Sequence, residues 1–355
     1  MRKLKIGIVG TGKIFEGAHA PGWLANPDVE IAALCDTHLP AAQAQAERLG
    51  VRRVYSSYEE MLEQEELDAI DICTPNIYHS GIAVAALDRG LHVFSEKPDA
   101  ISPSEARRMA DAAQRAGKVL MAMRNNRFTP QARFLKAYID TGAMGEIYTA
   151  RAGWLRRRGI PGRGGWFTTK ALSGGGPLID LGVHMLDVAI WLMGNPRPIA
   201  VSGATYTKFA DSTIAVSPDA RFGTLVEGGT FDVEDLATGF IRFDNGASLQ
   251  LEFSWAANVE EDIKFVELRG TQAGCSLRNA ELKLMTELAG ALCDIAPRLT
   301  PPHELPHARN IHHFVDCMLG RSQPLYTPEE GVDRIAILGA LYESAGRGRE
   351  VRLGE

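Results

Sequence analysis

The chain begins with a short apolar run, Leu4–Val9, that breaks at once into Gly10-Thr11-Gly12. Two closely spaced glycines after a strand let the chain turn tightly into a helix, and they let backbone N–H groups approach a pyrophosphate. A tight strand-to-helix turn would account for them equally well on its own. The rhythm that follows constrains the fold further. Apolar runs at residues 30–35, 69–73, 92–95 and 119–123 alternate with helical patterns at residues 40–49, 58–64, 80–89 and 103–116. This order predicts an α/β Rossmann domain, a doubly wound parallel sheet with helices on both faces. Phe15 stands where the third small residue of a G-x-G-x-x-G turn belongs, which weakens the motif.

After Arg124 the pattern changes. A helix over residues 130–141 leads into strand-like stretches at 147–152, 199–209, 239–243, 247–255 and 265–269, with Asp244-Asn245-Gly246 as a hairpin turn. We expect two domains. Residues 1–124 would be the NAD(P)-binding Rossmann domain. Residues 125–355 would form a substrate-binding and oligomerisation α+β domain with a large, mostly antiparallel open sheet. Residues 288–310, with several Pro and His, read as an irregular connection, and residues 328–345 as a closing helix. At 355 residues, 45% of them hydrophobic, the chain can build two cores.

A net charge of −6 gives no electrostatic reason to expect nucleic acid or an anionic membrane as partner. The basic and then apolar start is too short and too soon interrupted for a signal peptide, and no run is long enough for a membrane helix. Five cysteines without CxxC spacing suit a reducing cytoplasm.

Asp36 ends the second strand, where a carboxylate can accept hydrogen bonds from ribose hydroxyls and repel a 2′-phosphate. This favours NAD over NADP. Two polar clusters fall at strand ends: Thr74-Pro75-Asn76 with His79, and Glu96-Lys97-Pro98. Downstream, Gly174-Gly175-Gly176 precedes Asp180, His184 and Asp187. On one continuous helix these three would share a face of an otherwise apolar segment. Spacing alone leaves two readings open: a satisfied core histidine, or an imidazole between carboxylates performing acid–base chemistry.

These residues, with Arg127-Phe128 and the run from Gly174 to His184, resemble the Gfo/Idh/MocA oxidoreductase family of glucose–fructose oxidoreductase and inositol dehydrogenase. The resemblance implies an NAD(P)-dependent dehydrogenase that moves a hydride between the nicotinamide and a hydroxyl-bearing carbon of a sugar, polyol or sugar derivative. It implies Lys97, Asp180 and His184 as catalytic. Lys97 would touch both the nicotinamide ribose and the reacting hydroxyl, His184 would take the hydroxyl proton, and Asp180 would place the substrate or tune His184. It implies cofactor contacts from Gly10, Thr11, Gly12, Lys13, Ile14, Asp36, Thr74, Pro75, Asn76, His79, Glu96, Lys97 and Arg127, and a cis bond before Pro98. No metal is required. Arg156, Arg163 and Trp166 would border the substrate alongside Lys97, Asp180 and His184, and a basic loop there would suit an acidic or phosphorylated sugar; read from the residues alone, the arginines fit a solvated loop and Trp166 a core position equally well. His307, His312 and His313 form a histidine-rich patch without zinc-ligand spacing, and His312 would pair with Asp316. The partner is a small sugar-like molecule, and the assembly a homodimer or homotetramer. Two alternatives remain: a non-catalytic dinucleotide-binding regulator, and a hydrolase or epimerase-like enzyme that recycles bound NAD.

Overall fold

The computed structural model describes residues 2–217, 222–301 and 303–354. The chain divides into two compact units, Met1–Asn125 with His303–Ile335, and Asn126–Pro302 with Ala336–Glu355.

In the first unit six strands form one parallel sheet: β1 (Leu4–Val9), β2 (Val29–Cys35), β3 (Arg53–Tyr55), β4 (Ala69–Ile72), β5 (His92–Ser95) and β6 (Leu120–Ala122). Their order is β3-β2-β1-β4-β5-β6. The direction of winding reverses between β1 and β4, so the turns leaving those two strands flank the crevice where such sheets bind ligands. Helix ends follow the sequence signals. Ser102 accepts the Glu105 N–H at the start of Pro103–Ala116, and Gly117 closes that helix in the left-handed conformation.

The segment 303–335, read from sequence as part of the second domain, packs with the first unit. The helix Pro306–Met318 inserts Ile311, Phe314 and Val315 into the core formed by Trp23, Phe94 and Met121. Phe314 meets Trp23 edge-on at 6.2 Å and Phe94 at 5.2 Å. Burial of such side chains contributes roughly 1.5–3 kcal/mol apiece, which explains why the segment returns to this unit.

The second unit is built on a nine-stranded sheet: β7 (Ile147–Leu155), β8 (Pro198–Tyr206), β9 (Leu236–Phe243), β10 (Ser248–Ser254), β11 (Ile263–Gly270), β12 (Ala273–Arg278), β13 (Glu281–Leu288), β14 (Ala291–Ile295) and β15 (Val351–Arg352). The order is β14-β13-β12-β11-β7-β10-β9-β8-β15, antiparallel except for the β7–β10 pair. Two departures from the sequence reading stand out. First, part of the expected irregular connection is strand β14 followed by the helix from Pro306. Second, the helix expected across Asp180 and His184 is broken at Leu181, and the segments Lys170–Asp180 and Gly182–Leu192 meet at 45°. Asp180 and His184 are therefore not stacked one turn apart on a straight helix.

Candidate active site

Each unit carries one set of the expected residues. In the first unit, the glycine turn is shaped by its neighbours. Gly10 has φ +95°, and a methyl group there would lie 2.6 Å from the Cys73 carbonyl oxygen. Only glycine lets β1 turn so close to the end of β4. Gly12, by contrast, faces open space. Thr11 donates through its backbone N–H and its hydroxyl to Asp36 Oδ2, at 2.9 and 3.0 Å, while the His38 N–H donates to Oδ1. The carboxylate is half-buried and braces the turn from the end of β2. Lys13 is exposed and Ile14 half-buried at the start of the helical segment. Phe15, the residue that weakened the motif, is fully buried in the core and begins a π-helical turn, Phe15–His19. The wider turn replaces the close helix–strand contact that a small residue would have allowed.

The loops after β4 and β5 are tied together. His79 is fully buried, with Nδ1 2.7 Å from the Pro98 carbonyl oxygen and Nε2 2.9 Å from that of Thr74. Its ring nitrogens are thus committed to the two loops, so His79 fixes the shape of both. Asn76 is buried in the short turn after Pro75. Thr74 presents a buried Oγ1 that has no hydrogen-bond partner among the described residues. The Lys97–Pro98 bond is cis, as the resemblance implied. Glu96 is buried, and its Oε2 accepts the Lys97 N–H at 3.0 Å. Lys97 itself is half-buried. An open glycine, a half-buried carboxylate and an orphaned hydroxyl at the winding reversal fit a dinucleotide.

In the second unit, the glycine run is packed hard against Glu234 and Tyr342. A methyl at Gly175 would overlap the Tyr342 hydroxyl, and one at Gly176 the Glu234 carbonyl oxygen. Glu234 accepts the N–H groups of Gly176 and Leu178, each at 3.0 Å, and the Tyr342 hydroxyl at 2.8 Å. Burial raises its pKa against those hydrogen bonds. The carboxylate thereby caps the helical segment that leads to Asp180. Asp180 Oδ2 accepts the indole N–H of buried Trp255 at 2.9 Å. His184 lies 5.9 Å, ring to ring, from Trp154 on β7, and Lys264 and Arg156 sit over that indole at 4.6 and 5.1 Å.

Several expected residues have partners within the protein. Arg127 is fully buried in the second unit, where its guanidinium makes a two-point pair with Asp187 at 2.8 and 2.6 Å and lies over Trp191. This corrects the grouping of Asp187 with Asp180 and His184. Arg156 is buried and donates to the Gly159 carbonyl. Arg163 donates to the Ala210 carbonyl and Trp166 stacks on Phe167 at 3.8 Å, so both brace the loop they belong to. His312 faces the Gly22 carbonyl oxygen and Glu304 rather than Asp316, which lies beside Arg321. Sequence reasoning missed Glu234, Tyr342, Trp154, Trp255 and His19. The signal for the last was an acid, Asp71, inside an otherwise apolar strand, because a buried carboxylate requires a partner.

The oxidoreductase family described by its NAD-binding Rossmann fold matches residues 4–123, and the GFO/IDH/MocA C-terminal domain matches residues 132–275. The chain belongs to the Gfo/Idh/MocA family. Residues 4–123 are the family's NAD-binding domain, and the protein is an NAD(P)-dependent oxidoreductase. Among relatives of this family it is 36% identical over 351 residues to D-glucoside 3-dehydrogenase of Escherichia coli K12, covering 99% of this chain and 97% of that one. An NAD-binding oxidoreductase from Klebsiella pneumoniae superposes with a TM-score of 0.84 at 26% identity, covering 99% and 100% of the two chains. Levoglucosan dehydrogenase in complex with NADH and levoglucosan shares the fold, with a TM-score of 0.86 at 24% identity and full coverage of both chains.

Proposed function

We propose that the protein is a dehydrogenase that oxidises a secondary hydroxyl of a sugar or glycoside with NAD as acceptor. The observation that carries this is the similarity to a D-glucoside 3-dehydrogenase along 99% of the chain. Gly10, Thr11, Gly12, Asp36 and Thr74 would hold the dinucleotide, and Asp36 would disfavour a 2′-phosphate. When bound, NAD supplies a hydride acceptor.

The chain's own residues do the rest. Lys97, as an ammonium on a loop fixed by Glu96 and His79, orients and polarises the hydroxyl. His184 accepts its proton at a ring nitrogen during oxidation and returns it in the reverse direction. Asp180, held by Trp255, places the substrate. Arg156, packed beside Trp154, lines the sugar subsite. We also infer a homodimer or homotetramer through the sheet face that bears Tyr206, Phe240 and Gln250. The five free cysteines suit the cytoplasm, and among the described residues no single helix is long and apolar enough to cross a membrane.

The test is a panel of methyl β-D-glucopyranoside, levoglucosan and myo-inositol with NAD, read as NADH absorbance. We expect turnover with at least one of them. Lys97→Ala and His184→Ala should each lower kcat by about 10²–10⁴-fold with little change in NAD affinity. Failure of every panel member, or unchanged rates in both variants, would refute the reading.

A further inference from the structure

Beneath Glu96 lies a buried polar group that the proposed chemistry does not use. His19, on the π-helical turn after the glycine loop, has no exposed surface. Its Nδ1 stands 2.9 and 3.0 Å from the two oxygens of Asp71, and its Nε2 stands 2.8 Å from Glu96 Oε1. Trp23 donates its indole N–H to Asp71 at 2.6 Å, and Cys73 Sγ lies 3.4 Å from Nδ1. A neutral imidazole can donate to only one of two flanking carboxylates, whereas an imidazolium donates to both. Two buried carboxylates without a cation between them would be costly. The geometry therefore makes His19 a buried cation. Its pKa is well above the ordinary value: burial opposes the charge, but Asp71 and Cys73 together outweigh it. Burial pushes the Glu96 carboxyl up; the hydrogen bond and charge of His19, with the charges of Lys97 and His307, overcome that and bring it down to about 2.

We propose that His19 is a positioning residue for Lys97: its buried imidazolium keeps Glu96 a carboxylate, whose second oxygen holds the Lys97 backbone N–H. The inference rests on the reading of Lys97 as the ammonium that meets the substrate. The chain of contacts is short and lies wholly within the first unit. His19 fixes Oε1, leaving Oε2 as a pure acceptor for the N–H of the residue that bears the ammonium. A protonated Glu96 would place a hydroxyl hydrogen where that acceptor is needed. Other groups surround the pair. Asp71 and Cys73 face His19 from the end of β4. Lys97 and His307 add positive charge near Glu96, and His79 feels both Glu96 and Lys97 from its own helix. His19 is the cation hydrogen-bonded to Oε1, so its removal leaves burial as the leading influence on Glu96.

The test is His19→Gln. Without the cation Glu96 should titrate within the working range, protonated at low pH and ionised at high pH. Infrared spectra should then show a protonated-carboxyl band at about pH 5.5 that disappears by about pH 8.5. In difference spectra against the unaltered protein, which cancel other buried carboxyls such as Glu234, the band should appear in His19→Gln and be absent from His19→Gln/Glu96→Gln. With methyl β-D-glucopyranoside and NAD, kcat relative to the unaltered enzyme should be at least about tenfold lower at pH 5.5 and within about threefold at pH 8.5. Taking the ratio removes any acid limb due to His184. Glu96→Gln, which cannot ionise, should lose activity to a similar degree at every pH, and adding His19→Gln should deepen that loss by no more than about twofold. A pH-independent loss in His19→Gln, no carboxyl band, or full activity in Glu96→Gln would each overturn the proposal. Lys97→Ala separates the two readings. Full activity there removes the role of Lys97, while inactivity there together with a flat His19→Gln profile removes only the role of His19.

Discussion

Replacing Arg127 by Met should destabilise the second unit by about 3–5 kcal/mol, because the change takes the guanidinium away from the buried Asp187 carboxylate. Both side chains are fully buried, and the pair is held by two hydrogen bonds at 2.8 and 2.6 Å. The guanidinium also lies 5.3 Å from the Trp191 ring centroid, and that contact is lost too. For a unit of this size such a loss corresponds to roughly 6–20 °C in Tm. Urea denaturation of the single and paired variants measures it. Arg127→Met/Asp187→Leu should recover most of the stability, since replacing both charges by apolar groups leaves no buried charge without its counter-ion. NAD affinity of the folded single variant should stay within about threefold. A single-variant loss under about 1 kcal/mol, or an equal loss in the double variant, would refute the reasoning. A steep fall in NAD affinity with unchanged stability would restore the cofactor contact that the sequence suggested.

Three further outcomes follow from the geometry. Gly176→Ala forces a methyl against the Glu234 carbonyl oxygen and should cost about 1–3 kcal/mol, with a loss of kcat as Asp180 shifts, seen by thermal denaturation and steady-state rates. Asp36→Ala removes the acceptor of two Thr11 hydrogen bonds and should raise the Kd for NAD by about tenfold while narrowing the preference over NADP, measured by fluorescence titration. His92 is held neutral, its pKa lowered to about 4 chiefly by burial, with Nδ1 accepting the Val119 N–H. Its contribution is complete above the ordinary histidine value and is lost as pH falls from there towards 4. His92→Asn, which keeps an acceptor, should flatten the acid limb of stability measured by denaturation at stepped pH.

The first unit was legible because its signals are local. Apart from β3, the parallel strands are short apolar runs, and those of β4 and β5 stop at polar residues, Thr74 and Glu96. What escaped the sequence depends on contacts distant along the chain. The return of residues 303–335 to the first unit is decided by Phe314 against Trp23 and Phe94, which no spacing rule reveals. β13 alternates buried Leu282 and Leu284 with exposed Glu281 and Lys283, a period-two pattern masked by its charges. The partner of Arg127 is a carboxylate sixty residues further on. The expected common face of Asp180 and His184 failed at a single residue, Leu181, where the helix bends.

The bond between Thr11 and Asp36 carries a lesson for anyone wishing to change the coenzyme. On the proposed reading, one carboxylate would face the ribose, and it fastens the loop that would cradle the phosphates, so discrimination and scaffold would share an atom. Exchanging it for a neutral or basic side chain to admit a phosphorylated ribose would also unfasten the loop. A redesign would have to give the Thr11 hydroxyl and amide a new anchor before any tolerance for the larger dinucleotide could appear as catalysis.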